Sequence, residues 1–151
     1  MYDRNIMNLA LNVSKLSNDP STKVGCVITN KYRDVLSVGY NKLKKFIKQE
    51  DISYIYNDKN IKRYATEHAE IIAFKNLKDT DEDLILYITH PSCLPCVIEY
   101  LLNTKHNIIE IYYIDRGSDS FKQRFQVNEA LGIMNHKSIV VKAIEDDFEL
   151  N

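Results

Sequence analysis

Two short segments of this 151-residue chain hold side chains able to do chemistry together: Glu67-His68-Ala69-Glu70 and Pro91-Ser92-Cys93-Leu94-Pro95-Cys96. The second alone is ambiguous. A Cys-x-x-Cys pair at a helix start reads as a redox couple, as half of a zinc site, or as two buried small residues. The first segment narrows the choice. One imidazole and two thiolates supply three ligands suited to Zn²⁺ and leave the fourth tetrahedral position open for water, as in a catalytic rather than a structural site. No fourth cysteine is placed to close it, because Cys26 lies mid-strand in an apolar run and reads as core. Glu70 falls two residues after His68, about 200° around a helix, so it does not ligate from the same face. At the first turn it can stand beside the open position, take a proton from water there and hand it on. Taken singly, each of these residues is better read as helix decoration or as core. Their joint occurrence at the starts of two consecutive helices, separated by one strand, carries the metal reading.

The elements that must position these groups follow from hydrophobic spacing. Ile6, Leu9, Val13 and Leu16 recur in steps of three and four, which predicts a helix over Tyr2–Leu16, ended by Asn18-Asp19-Pro20. Val24–Thr29 and Val35–Tyr40 read as an antiparallel hairpin across the polar turn at residues 30–34. Lys42–Thr66, rich in lysine and tyrosine with no clean period, reads as a long loop with one helical piece; loops of this length are often functional. Beyond it come a helix over Thr66–Leu77 with Thr66 as N-cap, a strand over Leu84–Thr89 and a helix over Cys93–Leu102. A strand over Ile108–Ile114, a helix over Ser120–Leu131 and a strand over Ser138–Ile144 complete the pattern. Strands alternating with helices imply βαβ crossovers, hence an α/β fold with a five-stranded mixed sheet and helices on both faces. The two helix starts carry free N–H groups over strand ends and favour thiolate over thiol. The acidic run Glu145-Asp146-Asp147-Phe148-Glu149 reads as a solvated, frayed tail.

Bulk properties bound the partners. A length of 151 residues suits one domain, here taken as 1–151. Net charge is −1, so nothing global advertises a nucleic-acid or membrane surface. No apolar run has the length of a bilayer span, no secretory signal opens the chain, and the odd cysteine count argues against a disulfide framework. A cytoplasmic protein is the expectation.

The pattern His-x-Glu followed by Pro-Cys-x-x-Cys is a signature of zinc deaminases. The chain resembles the cytidine deaminase superfamily and, within it, the deoxycytidylate (dCMP) deaminases. The resemblance rests also on Asp19-Pro20-Ser21-Thr22-Lys23-Val24-Gly25-Cys26-Val27-Ile28, on Gly39-Tyr40-Asn41 with a long insertion after it, on Leu86-Tyr87-Ile88-Thr89 leading into the cysteines, and on Leu131-Gly132-Ile133. It implies a three-layer α-β-α sandwich that hydrolyses a deoxycytidine nucleotide to the deoxyuridine nucleotide and ammonia: dCMP, with dCTP as a further candidate, and dUMP destined for thymidylate synthesis. It further implies His68, Cys93 and Cys96 as ligands of one Zn²⁺ and Glu70 as the catalytic acid–base. Val24, Asn41, Ala69, Pro91 and Ser92 would meet the substrate, although Asn41 also reads simply as a turn residue after a strand. Lys23, Lys42, Lys44 and Arg116 are candidates for phosphate or effector binding. By family analogy alone the assembly would be a homo-oligomer, a hexamer, with dCTP and dTTP as effectors and Mg²⁺ accompanying the effector.

Three departures bear on the site. Lys42 stands where the family's second glycine would be, and Ser92 separates Pro91 from Cys93. The Lys42–Thr66 insertion has no Cys or His, so a second structural zinc is not expected. The insertion does carry Lys42, Lys44, Lys45, Lys48, Lys62 and Arg63, which read as a solvated loop or as phosphate recognition. Two rivals stand beside the nucleotide reading. A nucleoside, tRNA or single-stranded nucleic-acid deaminase is the first, and the last two of these substrates favour a broad basic surface. A non-catalytic zinc module is the second, and it would have no use for Glu70.

Overall fold

The structure is a computed structural model and describes residues 1–148. Its elements run α1 (Arg4–Ser14), β1 (Gly25–Asn30), β2 (Val35–Tyr40), β3 (Lys42–Leu43), α2 (Ile52–Tyr56), α3 (Lys59–Ala65), β4 (Thr66–Glu67), α4 (Ala69–Asn76) and β5 (Asp83–Ile88). They continue with α5 (Leu94–Val97), β6 (Asn107–Ile114), α6 (Asp119–Arg124), α7 (Val127–His136) and β7 (Val140–Ile144). The main sheet has the order β2-β1-β5-β6-β7. β1 pairs antiparallel with β2 and with β5, and the β5, β6 and β7 pairings are parallel. This is the five-stranded mixed sheet expected from the sequence.

Strand residues alternate between two cores, as a period of two requires. Cys26, Ile28, Leu84, Leu86, Ile88, Ile111 and Tyr113 face one side, packed with residues of α4, α5 and α7. Val27, Ile85, Tyr87, Tyr112 and Ile114 face the other, packed under Ile6, Met7 and Ala10 of α1. Covering on both faces explains why these strands read as continuous apolar runs.

Two glycines set how closely the helices approach. A Cβ on Gly25 would lie 2.0 Å from the Ala10 carbonyl oxygen, and one on Gly39 would lie 2.4 Å from the Ala69 oxygen and 2.5 Å from the Ala73 nitrogen. The backbone of α1 therefore approaches β1 most closely at Ala10, and the helix buries Met7 and Ala10 while Leu9 and Leu16 are exposed. Ile6 and Val13 are buried as expected, but the buried face turns toward Met7 and Ala10 and away from Leu9 and Leu16. Gly39→Ala is expected to destabilise the fold by about 1–3 kcal/mol, because α4 must back away from β2. Gly132→Ala, at a helical position with nothing within 4 Å, is expected to stabilise by about 0.5–1 kcal/mol. Urea denaturation of both variants checks the contrast, and an unchanged midpoint for Gly39→Ala would refute the close-approach argument.

Four further expectations need correction. Residues 42–66 are not a loop with one helical piece: they hold α2, α3, a 3₁₀ turn at Gln49–Asp51, and the ribbon that pairs Lys42 with Glu67 and Leu43 with Thr66. The helices are short and bury only Ile55 and Ala65, so no period shows. Thr66 is not an N-cap; its hydroxyl donates to the Lys62 carbonyl at 2.7 Å, and α4 begins after His68. The helix expected over Ser120–Leu131 is two helices, broken at Gln126 with φ 54°. The break turns the Phe125 carbonyl toward the cysteine segment, where it accepts from the Leu94 N–H at 3.0 Å. The acidic tail is not simply solvated. Asp146 accepts from Arg116, Asp147 accepts from Arg4 at 2.8 Å, and the Arg4 guanidinium sits 4.2 Å from the Phe148 ring centroid. Glu149 lies outside the described residues.

Candidate active site

The site sits where the C-terminal end of β5 meets the start of β1. There the Thr89 N–H donates to the Gly25 carbonyl, and the Gly25 N–H donates to Thr89 Oγ1, both at 3.0 Å. The chain then turns through His90, Pro91 and Ser92 into α5. Cys93 and His68 hold the same post: each is the extended residue immediately before a helix, α5 and α4 respectively. Cys96 follows one turn into α5, and Glu70 is the second residue of α4.

This arrangement brings the three donor side chains together. Cys93 Sγ lies 3.5 Å from His68 Nδ1 and 3.0 Å from Cys96 Sγ, and the ligand atoms of all three residues fall within 4.8 Å of one another. Among the described residues no other cluster of metal-ligating side chains occurs. The sulfurs are farther apart than the roughly 2.05 Å of an S–S bond, and both cysteines are free thiols. His68 Nε2 faces the Arg63 carbonyl at 3.4 Å. Donation there makes Nδ1 the nitrogen that faces the sulfurs and that ligates once its proton is lost, the outer-shell arrangement that fixes a ligating histidine. Two soft sulfurs and one imidazole nitrogen fit zinc. Cys26 is fully buried on β1 and outside this cluster.

Electrostatics within the cluster set which groups still hold protons that a metal must displace. A hydrogen bond from the Cys96 thiol, assisted by His68 and opposed by burial, lowers the Cys93 thiol, while Cys96 in turn is raised. The pair thus keeps one proton. Burial pulls His68 down, but the hydrogen bond and charge of Cys93, with help from Glu70 and the Arg63 carbonyl, hold it up at about 9. Glu70 is buried, and burial together with the Cys93 thiolate raises it against the opposing pull of His68 and Ser92.

A cavity of about 260 Å³ opens beside the cluster, and His68, Glu70, Cys93, Val24, Ala69, Pro91 and His90 are among the residues that line it. Asn41 also lines it, but its side chain already accepts from the Val24 N–H and donates to the Thr22 carbonyl, each at 2.8 Å. It ties the strand ends together. Ser92 does not line the cavity; its hydroxyl donates to Glu70.

The cations are distributed differently from the sequence expectation. Lys59, Lys62, Arg63 and Arg124 line the cavity. Lys62 is committed to the buried Asp19 carboxylate at 2.9 Å and to Ser21 at 2.7 Å. Lys42 and Lys44 line a neighbouring groove, Lys23 lines neither, and Arg116 is held by Asp146. Arg124 leans over Phe121 and Phe125, and its buried Nε has no hydrogen-bond partner. Burial, with Arg116 adding to it, brings His90 down to about 4, so it faces the cavity uncharged at neutral pH. Sequence reasoning missed His90, Lys59, Arg124 and Tyr100. Only Tyr100 carried a signal, four residues after Cys96 on one helical face.

Comparison with known proteins agrees with this geometry. The family described as the cytidine and deoxycytidylate deaminase zinc-binding region matches residues 1–109. An uncharacterized deaminase of Aliivibrio fischeri is 32% identical over 118 residues, 78% of this chain and 76% of that protein. A Caenorhabditis elegans protein described as a probable deoxycytidylate deaminase is 28% identical over 115 residues, 75% of this chain, and the match spans 57% of that longer relative. Among solved structures, the dCMP deaminase of cyanophage S-TIM5 in complex with dCMP and dUMP superposes with a TM-score of 0.69 at 18% identity, over 93% of this chain and 95% of that one. RibD of Acinetobacter baumannii superposes with a TM-score of 0.59 over 91% of this chain and 33% of that one. These likenesses establish the cytidine deaminase-like fold. With the extent of the family match and the identity to the Aliivibrio protein, they place this chain in the cytidine and deoxycytidylate deaminase family.

Proposed function

We propose that this protein is a zinc-dependent hydrolase that deaminates a 5′-phosphorylated deoxycytidine, using His68, Cys93 and Cys96 as metal ligands and Glu70 as the proton carrier. The observation that carries the reading is a buried carboxylate, Glu70, lining the same cavity as the His68–Cys93–Cys96 cluster. A structural zinc site has no need of one. The chemistry zinc supplies in such a setting is to acidify water, making a nucleophile available at neutral pH. Glu70 accepts the proton that water gives up and delivers it to the ring nitrogen as the water oxygen bonds to the adjacent carbon. It then carries the remaining hydroxyl proton to the amino group as the carbon–nitrogen bond breaks and ammonia leaves. The net change is water consumed, ammonia released and a cytosine ring turned into a uracil ring. Burial of Glu70 suits the double role, because a raised carboxyl is a stronger base toward water and can carry a proton nearer to neutral pH than a free one.

Cations in the lining of the cavity support a phosphorylated substrate. Lys59, Arg63 and Arg124 line that cavity, and Arg63 donates to the Arg124 carbonyl and the Tyr64 hydroxyl rather than to a carboxylate. Charge-assisted contacts to a phosphate from these groups exceed neutral ones in strength. Loss of the phosphate is therefore expected to lower kcat/KM by about tenfold or more, and added salt should weaken nucleotide use more than nucleoside use. Ammonia release from deoxycytidine, dCMP and dCTP at two ionic strengths is the test. Equal use of deoxycytidine would reject phosphate recognition.

A second reading has one observation in its favour. The groove next to the cavity carries Lys42, Lys44 and Lys45 with Phe46 and Tyr64, a mixture suited to single-stranded nucleic acid, while Lys75 there is paired with Glu67. Deamination of a cytosine-containing oligonucleotide in the same panel, faster than of dCMP, would favour it.

A further inference from the structure

The carboxylate of Glu70 is not free to turn. The Ser92 hydroxyl donates to Glu70 Oε2 at 2.8 Å, and the Tyr100 hydroxyl donates to Ser92 Oγ at 3.0 Å. All three residues are buried: Glu70 is 3% exposed, Ser92 4% and Tyr100 2%. We propose that Ser92 and Tyr100 are positioning residues, a relay that occupies Oε2 of Glu70 and leaves Oε1 as the oxygen that exchanges protons with the substrate. The inference rests on the deaminase reading above and adds to it which residues orient the proton carrier.

The direction of the relay follows from counting protons. A carboxylate only accepts, and each hydroxyl has one hydrogen to give. Ser92 spends its hydrogen on Glu70, so its oxygen is left to accept, and Tyr100 supplies that bond. Burial pushes the Tyr100 phenol well up, which keeps it a donor. Oε1 accepts from no other side chain among the described residues.

Tyr100 is itself fixed. It belongs to the π-helical turn at Ile98–Leu102 that continues α5, and its ring stacks on Phe74 of α4 at 5.5 Å and 15°. Phe74 lies four residues after Glu70, so one face of α4 presents both the carboxylate and the ring that holds the far end of the relay. Single-turn π segments recur at functional sites, where they re-aim side chains. The hydroxyl of Ser92 stands at the position before the first cysteine, where the resemblance leads one to expect proline. Proline has no hydrogen to donate, so the relay belongs to this chain's own sequence.

A role confined to packing would give the same contacts, so the test must separate the two. Ser92→Ala is expected to lower kcat by about tenfold or more while KM and the dissociation constant for dUMP, measured by calorimetry, stay within about twofold. Zinc content should be unchanged. Tyr100→Phe removes one oxygen without changing shape and should lower kcat in the same direction by less. Ser92→Thr, which restores a hydroxyl, should recover most of the rate. In a Glu70→Gln background, Ser92→Ala should cost no more than about a further twofold, because the relay acts only through Glu70. An unchanged kcat in Ser92→Ala, a loss confined to KM or zinc, or a full loss persisting in the Glu70→Gln background would each overturn the relay alone. No ammonia from any cytosine nucleotide with zinc-loaded wild-type protein would overturn the deaminase reading and the relay with it.

Discussion

Replacing Glu70 with glutamine is expected to lower kcat by about 10²–10⁴-fold, the usual worth of a positioned acid–base group. The amide keeps the shape of the carboxyl, and its oxygen can still accept from Ser92 at the position Oε2 now holds. What it loses is the ability to take and return a proton. Binding should survive, because KM reports contacts that Glu70 does not make alone, so kcat should fall with KM nearly constant. Stability gives an independent reading. Burial raises Glu70, which means the folded protein holds its charge at a cost, so a neutral amide should leave the unfolding midpoint unchanged or higher. A variant that unfolds earlier and loses activity in proportion would point to a structural carboxylate. Turnover within a few-fold of wild type, with zinc retained, would remove Glu70 from the mechanism.

The site was more legible in the sequence than the frame around it, for a physical reason. His68, Glu70, Cys93 and Cys96 act by chemical type and by position at helix starts, and both are written in local sequence. The central strands were legible for a similar reason, since burial on two faces makes the runs at residues 26–28, 84–88 and 111–114 apolar. What stayed hidden depends on contacts distant in the chain. The close approach of α1 at Ala10 requires Gly25, eleven residues beyond the helix end. The break at Gln126 makes sense only beside Leu94, whose N–H takes the Phe125 carbonyl. Lys62 reads as one free charge among seven cations of the insertion, yet the buried Asp19 claims it. Arg116 was assigned toward a phosphate because it follows β6, but Asp146, in a tail read as solvated, holds it instead. Lys59 and Arg124 reach the cavity from α3 and α6, and no local pattern marks either one.

Loss of one metal ligand should produce the largest effect. Cys96→Ala is expected to weaken zinc binding by more than a hundredfold, since removing even an outer-shell partner of a zinc ligand already costs about 10–100-fold. Only two donors would remain, His68 and Cys93, and turnover should fall below detection as the metal is lost. The substitution is small and apolar at a buried position, so the chain should still fold, which circular dichroism can verify. The proton shared by the cysteine pair adds a second signature. Cys93 is lowered by a hydrogen bond from Cys96, and Cys96 is raised in return, so binding the metal must expel that proton. Zinc affinity of the wild-type protein should therefore rise with pH, with proton release measurable by titration in buffers of different ionisation enthalpy. In Cys96→Ala that shared proton is absent and its contribution to the release should vanish. Cys26→Ala supplies the comparison: its thiol lies on β1 outside the ligand cluster, so one zinc per chain should remain. Zinc held at one per chain by Cys96→Ala after dialysis against a chelator, with activity intact, would show that the pair Cys93–Cys96 is not the metal-binding unit and that the cluster has some other use.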